Sequence, residues 1–432
     1  MFNVNRLLKY VLSGFAVSML TACLLQGGDG ANKNDGSALS KNGDTDHSEL
    51  LANISDKVVI PAYQAFVDQT SSWQNPESSI DAYCQSIDST DEVNKLDAAQ
   101  QSWRNAMAGW QQLEAFQIGP ITDNAFNLRN RIYSWPEFVS NCTVDKNVAV
   151  LLDDSANFDI STLSRQAQGL DALEYLLFNT DLNHSCPKQI VEIQNWNVKS
   201  DSERKLARCE YAKHVAKDVN NNANSLLNAW LESGGNYRQV FIQSGSDGGA
   251  FDTQSDALNA LSDSLFYLSN DVKDRKLGLP IGLSTDCETL TCASERESSF
   301  SENSLANIKN NLIGFRAVFT GSFKAEDEVP SFDDELARKN FPEISTEILA
   351  YTDSAISLIN RASSSLSIEI NRNDNEISKS ECVNAASNPD SESEYLSCRL
   401  YGKLKRITDE LKGDFLTVIS LTLPQRVEGD ND

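Results

Sequence analysis

Residues 168–178 read Gln168-Gly169-Leu170-Asp171-Ala172-Leu173-Glu174-Tyr175-Leu176-Leu177-Phe178, an apolar helical pattern with two acidic residues inside it. At about 100° per residue, Leu170, Leu173 and Leu177 fall on one stripe of a helix. Glu174 lies roughly 40° from Leu170, on the apolar side, and Asp171 lies one turn earlier. A carboxylate on a buried face must be paired, hydrogen-bonded or protonated, and each of these costs stability. The pattern therefore predicts a buried carboxyl at Glu174, with Asp171 able to reach the same point.

Helical patterns continue along most of the chain, and no alternating strand pattern is long enough to build a sheet. The predicted helices cover residues 49–73, 96–117, 201–230, 256–271, 304–319, 342–362 and 397–421. Long amphipathic helices joined by loops are typical of helical bundles. The predicted fold class is therefore all-α.

A second acidic residue lies inside an apolar stripe. In the predicted helix 96–117, Glu114 falls about 40° from Trp110, near the middle of the apolar face. The following segment contains Arg131 and Trp135. An arginine pairs bidentately with carboxylates and stays charged, so Arg131 is the predicted partner of these buried acids.

The first residues have the pattern of an export signal. Arg6 and Lys9 precede an apolar run over residues 10–20 that is too short to span a membrane. The run ends in Leu-Thr-Ala-Cys at Cys23, which resembles a bacterial lipobox. We expect a signal peptide over 1–22 and lipidation of Cys23, with a plain secretory signal as the alternative. Acyl chains at Cys23 would hold the protein on the periplasmic face of a membrane, by analogy the outer membrane, because no Asp follows the cysteine.

The segment after Cys23 has almost no apolar content. Residues 24–48 are mostly Gly, Asn, Asp, Ser and Lys, a composition typical of a flexible tether. His47 lies in this segment and is expected to be exposed to solvent. We therefore predict that the folded part of the chain begins near residue 49.

Cysteine number predicts disulfides. The chain has nine cysteines, and without Cys23 an even number remains in an exported protein. Many pairings are compatible with the sequence. Order along the chain suggests Cys84–Cys142, Cys186–Cys209, Cys287–Cys292 and Cys382–Cys398. Zinc binding is the weaker interpretation, because no C-x-x-C pair occurs.

Length and charge limit the partners. The chain has 432 residues, enough for two domains, and a formal net charge of −25. A negative field of this size repels nucleic acid, so no nucleic-acid partner is expected. It favours cations, including metal ions and basic peptides, although a solvated acidic surface would also explain it.

The central stretch resembles the signature of the imelysin-like family of bacterial envelope proteins, Gly-x-His-x-x-Glu. Gly169 and Glu174 have the spacing of that motif, and Asp171 occupies the position of its histidine. The resemblance is to the predicted-lipoprotein branch of the family, which reads Gly-Leu-x-Ala-Leu-Glu-Tyr-Leu-Leu here.

Other segments carry the same resemblance. The branch has an Arg-x-x-x-Trp-Pro element, a Lys-Leu-x-x-Pro-x-Gly element and an acidic-Ser element, which match segments at 131–136, 276–282 and 297–298. The resemblance implies two packed helical bundles, here over 49–200 and 201–432, with a site between them. The metal- or ligand-binding candidates are Glu174, Asp171, Glu114 and Glu297. The supporting residues are Gly169, Arg131, Trp135, Lys276 and Ser298.

Three functions are compatible with this pattern. The resemblance implies an envelope binding protein linked to metal and iron uptake, and oxygen ligands would suit iron(III), calcium or manganese better than zinc. The family name implies a metallopeptidase, but the chain has no His-Glu-x-x-His and no histidine in its central motif, which argues against an enzyme. The third function is a disulfide-braced scaffold that binds a protein or peptide, in which Glu174 pairs with Arg131 or a backbone group. An envelope protein is then the candidate partner, beside the membrane itself.

Overall fold

A computed structural model of the chain describes residues 46–137, 139–324 and 329–425. The described residues form helices and connecting loops and contain no β-strand. Three disulfides join separate elements, and a fourth closes a single loop. The prediction of an all-α, disulfide-braced fold is confirmed. The signal peptide, Cys23 and the tether as far as residue 45 lie outside the described residues.

Most helices of the first half pack against one long helix, Asp201–Trp230. In chain order these helices are α1 (Ser48–Asn53), α2 (Ile60–Ser71), α3 (Ser79–Ser86), α4 (Glu92–Leu113), α5 (Asp123–Ile132), α6 (Asn141–Asp153), α7 (Gly169–Phe178) and α8 (Asp201–Trp230). A π-helical segment, Ile54–Val59, joins α1 to α2 in one continuous run.

The second half continues with shorter helices. They are α9 (Tyr237–Ile242), α10 (Gln254–Leu265), α11 (Ser304–Phe319), α12 (Phe332–Arg338), α13 (Pro342–Asn360), α14 (Leu366–Arg372), α15 (Glu376–Ser387), α16 (Leu396–Glu410) and α17 (Leu416–Ile419). Two further π-helical segments are Leu268–Gly278 and Leu411–Phe415. None of the helices described is long and apolar enough to cross a bilayer.

Helix α8 begins where the sequence provides a cap. The Ser200 hydroxyl accepts a hydrogen bond from the backbone N–H of Glu203, and the Glu203 carboxylate accepts one from the backbone N–H of Ser200 at 2.8 Å. This reciprocal capping box satisfies N–H groups that the first turn leaves free. It explains why the helix begins at Asp201, as predicted.

Helix α8 packs against α2, α3 and α7, although the sequence analysis assigned it to the second bundle. Helices α4 and α11 pack against each other and join the first half of the chain to the second. The division into bundles at residue 200 stays a prediction, since most neighbours of α8 precede that residue.

The first described helix begins one residue before the predicted boundary. Helix α1 begins at Ser48, and His47 is 8% exposed, so the expectation of a solvent-exposed His47 is wrong. The backbone N–H of His47 donates a hydrogen bond to the Gln254 side chain at 2.5 Å. Among the described residues, contact with the second half of the chain is therefore already present at His47, directly before α1.

Two of the four predicted disulfide pairings are wrong. Cys84 bonds with Cys209, and Cys142 bonds with Cys186. Helix α3 lies along α8, which brings Cys84 to a Cα–Cα distance of 5.6 Å from Cys209 across a sequence separation of 125. Order along the chain does not reveal such a contact. The other two pairings, at 287–292 and 382–398, are as predicted.

Peptide mapping of the non-reduced protein would check this connectivity. We expect tryptic fragments linked through Cys84–Cys209 and through Cys142–Cys186, because these sulfurs lie within bonding distance in the folded chain. Fragments linked through Cys84 and Cys142 would contradict the helix arrangement described above.

Candidate functional site

Gly169 allows α7 to approach the end of α5. Its φ is +85°, a conformation that favours glycine, and an added Cβ would lie 2.8 Å from the carbonyl oxygen of Ile132. The glycine therefore lets α7 begin directly against the chain that leaves α5. This places Asp171 and Glu174 beside the segment 133–136.

Glu174 is buried and held by the second half of the chain. The residue is 5% exposed, and its Oε1 accepts hydrogen bonds from the backbone N–H groups of Phe300 at 3.1 Å and Ser301 at 2.8 Å. The Ser301 hydroxyl donates a third bond to the same oxygen at 2.8 Å. Burial raises the pKa of Glu174 to about 7, even though these donors favour the charged form.

Asp171 is held by the segment that follows α5. Its Oδ2 accepts hydrogen bonds from the hydroxyl of Ser134 and from the backbone N–H of Ser134, the latter at 3.2 Å. Burial raises the pKa of Asp171 to about 6. Both carboxyls of the central motif therefore titrate close to neutral pH, which is common at functional sites.

Both carboxyls line a cavity of about 230 Å³, here called the Glu174 cavity. Its walls include Asp171, Glu174, Tyr133, Trp135, Arg296 and Ser298. Arg296 forms an ion pair with Glu302 at 2.8 Å, but its Nε is buried and donates no hydrogen bond within the described chain. The cavity thus combines two weak acids, aromatic walls and an arginine side chain.

Beside this cavity lies a buried ion cluster, the Lys276 cluster, made of Glu114, Arg129, Lys276 and Glu297. Lys276 Nζ lies 3.0 Å from Glu114 Oε2 and 3.0 Å from Glu297 Oε1, and all three side chains have no exposed surface. Arg129 Nη2 lies 2.7 Å from Glu114 Oε1. Burial alone would raise the pKa of Glu114, but Lys276 and Arg129 hold it below its ordinary value. Two cations therefore balance two anions in the core.

Tyrosines complete the Lys276 cluster and connect it to the cavity. The Tyr267 hydroxyl donates to Glu114 Oε2 at 2.6 Å, and the Tyr133 hydroxyl donates to Glu297 Oε1 at 2.8 Å. Tyr133 also lines the Glu174 cavity. Glu297 Oε2 is buried and accepts no hydrogen bond from the described residues. The cluster therefore lies directly behind one wall of the cavity, and Tyr133 belongs to both.

The structure brings together most, but not all, of the site residues predicted from the sequence. The ion cluster contains Glu114, Glu297 and Lys276. The ring centroid of Trp135 lies 4.9 Å from Lys276 Nζ. Ser298 accepts a hydrogen bond from Asn307 and lines the cavity.

The predicted role of Arg131 is wrong. Arg131 lies 3.5 Å from Asp218 of α8 and donates to the Ser161 carbonyl, whereas Arg129 pairs with Glu114. Two positions along a helix differ by about 200°, so only one of these arginines can point to the core. Sequence reasoning also missed Tyr133, Tyr267 and Ser301, because nothing in their local sequence distinguishes them.

The site residues do not fit a directly coordinated metal ion. Among the described residues, no group of three or more His, Cys, Asp or Glu side chains could hold one. Both oxygens of Glu114 are occupied by cations and hydrogen-bond donors. The neighbours of Glu174 Oε1 are N–H and O–H donors rather than further ligands. The donor set therefore does not support the metal-ligand role expected from the sequence.

Comparisons with known proteins agree with the sequence signature. The family model described as Imelysin (Peptidase_M75) matches residues 59–391. The chain is 24% identical over 277 residues to a protein named iron-regulated protein A from Synechococcus elongatus, over 63% of this chain and 64% of the relative. The match thus spans less than two thirds of the relative's length.

Two solved structures share the fold. An imelysin-like protein from Psychrobacter arcticum is 17% identical with a TM-score of 0.61, over 88% of this chain and 98% of that chain. A putative iron-regulated protein A precursor from Parabacteroides distasonis is 18% identical with a TM-score of 0.57, over 87% of this chain and 97% of that chain. At these identities the likeness concerns the fold alone.

Proposed function

The chain belongs to the imelysin family, and we propose that it is an envelope protein with an iron-related role that binds a ligand in the Glu174 cavity. The name of its relative, iron-regulated protein A, supports the iron-related role. The observation that carries the binding role is the burial of Glu174 and Asp171 on the wall of one cavity with raised pKa values. Such an arrangement costs stability and is typical of a functional site.

The size and chemistry of the cavity limit the ligand. Its volume of about 230 Å³ is smaller than the cavities that hold drug-sized ligands, roughly 300 Å³ and above. It matches a group the size of one amino-acid residue. Glu174 and Asp171 would accept hydrogen bonds from such a group, and the Arg296 guanidinium would donate one. A ligand with both N–H donors and a carbonyl, such as one residue of a peptide, meets these requirements.

Direct metal coordination and peptidase activity have less support. A catalytic zinc site needs about three protein ligands, and the described part of the chain offers no such group. We therefore assign the iron-related role to binding of an organic ligand or peptide rather than to chelation by these carboxylates.

The proposed location is the periplasmic face of a bacterial membrane, with Cys23 as the lipid anchor. We expect labelled palmitate to be incorporated into the wild-type protein and not into Cys23→Ser, because the thiol of Cys23 is the acceptor. The wild type should sediment with membranes, and the variant should be released on mild washing. Equal membrane retention of both proteins would contradict this anchor.

The binding role can be tested with single-residue probes. At pH 8 Glu174 is mostly ionised. Melting temperatures would be measured at this pH in the presence of each of the N-acetyl amino-acid amides. We expect at least one amide to stabilise the wild type but not Glu174→Gln, since a ligand that binds only the native state raises its stability. Glu394→Gln, an exposed residue far along the chain, is the matched control and should respond like the wild type.

Two outcomes of this test would overturn the proposal. The first is the absence of any stabilising amide. The second is stabilisation by iron(III), calcium, manganese or zinc alone that Glu174→Gln abolishes, which would assign a metal to the cavity instead.

A further inference from the structure

A second cavity, of about 280 Å³, shares Trp135 with the Glu174 cavity. We call it the Asp286 cavity. Its lining includes Trp135, Pro136, Asn270, Arg275, Asp286 and Glu295. One loop serves both cavities, because Asp286 and Glu295 line the second while Ser294 and Arg296 line the first. The two cavities are therefore neighbours along one loop and one aromatic side chain.

The Asp286 cavity has unbalanced negative charge. Arg275, its cation, pairs with Asp271 at 3.3 Å. Asp286 and Glu295 form no ion pair within the described part of the chain; the Glu295 carboxylate accepts only a hydroxyl bond from Ser294, at 3.3 Å. Two carboxylates at one cavity attract a cationic group, and the net charge of −25 adds to that attraction.

Trp135 offers a hydrogen bond that the protein leaves unused. The residue is 4% exposed, and its indole Nε1 is buried without an acceptor among the described residues. A buried N–H group without a partner is costly, and a ligand carbonyl would remove that cost. This requirement for an acceptor is independent of the acidic residues.

The loop that carries the two carboxylates is braced. The Cys287–Cys292 disulfide closes the chain between Asp286 and Glu295. A ligand that binds a braced loop loses less conformational entropy than one that must order the loop. The disulfide therefore shortens the free chain that separates the two carboxylates.

We propose that the two cavities form one extended site for a peptide, which places a lysine or arginine side chain in the Asp286 cavity and a neighbouring residue in the Glu174 cavity. This inference rests on the proposed function. A peptide combines the carbonyl that Trp135 lacks with the cation that Asp286 and Glu295 lack. A small metal ion or a free anion would meet only one of these requirements or neither.

The test uses two pools of dye-labelled hexapeptide amides on the full mature chain. One pool has lysine at a central position, and the other has norleucine there, which keeps the apolar stem and removes the charge. Fluorescence anisotropy would measure affinity in about 20 mM and about 200 mM salt, because exposed charge pairs weaken with salt. We expect the lysine pool to bind, and the norleucine pool to bind about tenfold more weakly in low salt.

Three variants locate the charge effect. Asp286→Asn combined with Glu295→Gln should weaken binding of the lysine pool about five- to tenfold, with little effect on the norleucine pool. Asp247→Asn combined with Glu288→Gln removes the same net charge at exposed positions outside both cavities and should change affinity less than twofold. Glu174→Gln should weaken both pools equally.

Each failure has a separate meaning. The extended site is overturned if the lysine pool fails to bind, if both pools bind equally, or if the two double variants behave alike. The single-residue amides test the Glu174 cavity by itself. If one of them stabilises the wild type but not Glu174→Gln, the proposed function is supported in all of these cases. If Glu174→Gln weakens binding and Asp286→Asn combined with Glu295→Gln does not, the ligand occupies the Glu174 cavity only, and the extended site is overturned.

Discussion

Lys276→Met is expected to lower the free energy of unfolding by about 3–5 kcal/mol at neutral pH. Lys276 is the shared cation of Glu114 and Glu297, at 3.0 Å from each, and has no exposed surface. Methionine nearly matches its volume, so the change removes the charge and the hydrogen bonds to Gln111, Glu114 and Asn311 without leaving a large cavity. Glu114 would keep Arg129 as its cation, whereas Glu297 would lose the cation that it pairs with in a site without solvent. Urea denaturation of wild type and variant would measure the difference.

A charge-balanced double variant separates this explanation from a packing defect. Lys276→Met combined with Glu297→Gln removes one positive and one negative charge and leaves the Glu114–Arg129 pair intact. It should recover a substantial part of the loss, because coupled residues are not additive. Lys188→Met, at an exposed position, is the surface control and should cost less than about 0.5 kcal/mol. A loss of under 1 kcal/mol for Lys276→Met would mean that the cluster contributes little.

The long helices were predictable because their apolar faces repeat over many turns. Helix α8 and helix α11 have the predicted bounds, Asp201–Trp230 and Ser304–Phe319. Helices α12 and α14 were not predicted, and each has only seven residues. A helix of two turns has too few apolar positions for a periodic signal and is held mainly by tertiary packing.

The sequence predicted the buried acids of the candidate site but not the groups that hold them. The positions of Glu174 and Glu114 on apolar faces predicted their burial, and both are buried. Their partners were not predictable. The groups that hold Glu174 are backbone N–H groups and a hydroxyl about 126 residues away, in a loop with no pattern of its own. Any residue except proline offers a backbone N–H, so no residue type could have marked this contact.

Local sequence also did not show which arginine of α5 pairs with Glu114. Arg129 and Arg131 both lie in the last turns of α5, and either could have faced the acids. The first turn of α5 contains three residues with positive φ, from Asn124 to Phe126, which are not glycines, and this turn sets the direction of the helical residues that follow. Local sequence preference did not predict that turn. Which arginine enters the core was therefore decided by an irregular turn rather than by spacing.

Glu174→Gln is expected to stabilise the protein above neutral pH. The pKa of Glu174 is about 7 in the folded chain against an ordinary 4.5, so the folded state keeps a proton that the unfolded chain has released. The free energy of unfolding of the wild type must then fall as pH rises from about 4.5 to about 7, and Glu174 costs up to about 3 kcal/mol above that window. Glutamine keeps an oxygen for the donors at Phe300 and Ser301 and carries no charge to desolvate. The variant should therefore match the wild type near pH 4 and exceed it at pH 8.

Urea denaturation at half-unit steps from pH 4 to pH 8.5 would measure this difference. Glu394→Gln, which removes an exposed carboxylate, should give a difference near zero throughout. Asp171 titrates near pH 6, remains in both proteins and contributes through its charge to the raised pKa of Glu174, so the difference between the two curves reports the interacting pair of carboxyls. A variant that is less stable at pH 8 would mean that its three donors outweigh burial and that the wild-type carboxylate is already ionised at lower pH. The ligand would then meet a carboxylate that is always charged. With a pKa of about 7, by contrast, the charge of Glu174 near neutral pH depends on whether a bound cation favours loss of the proton from its carboxyl group.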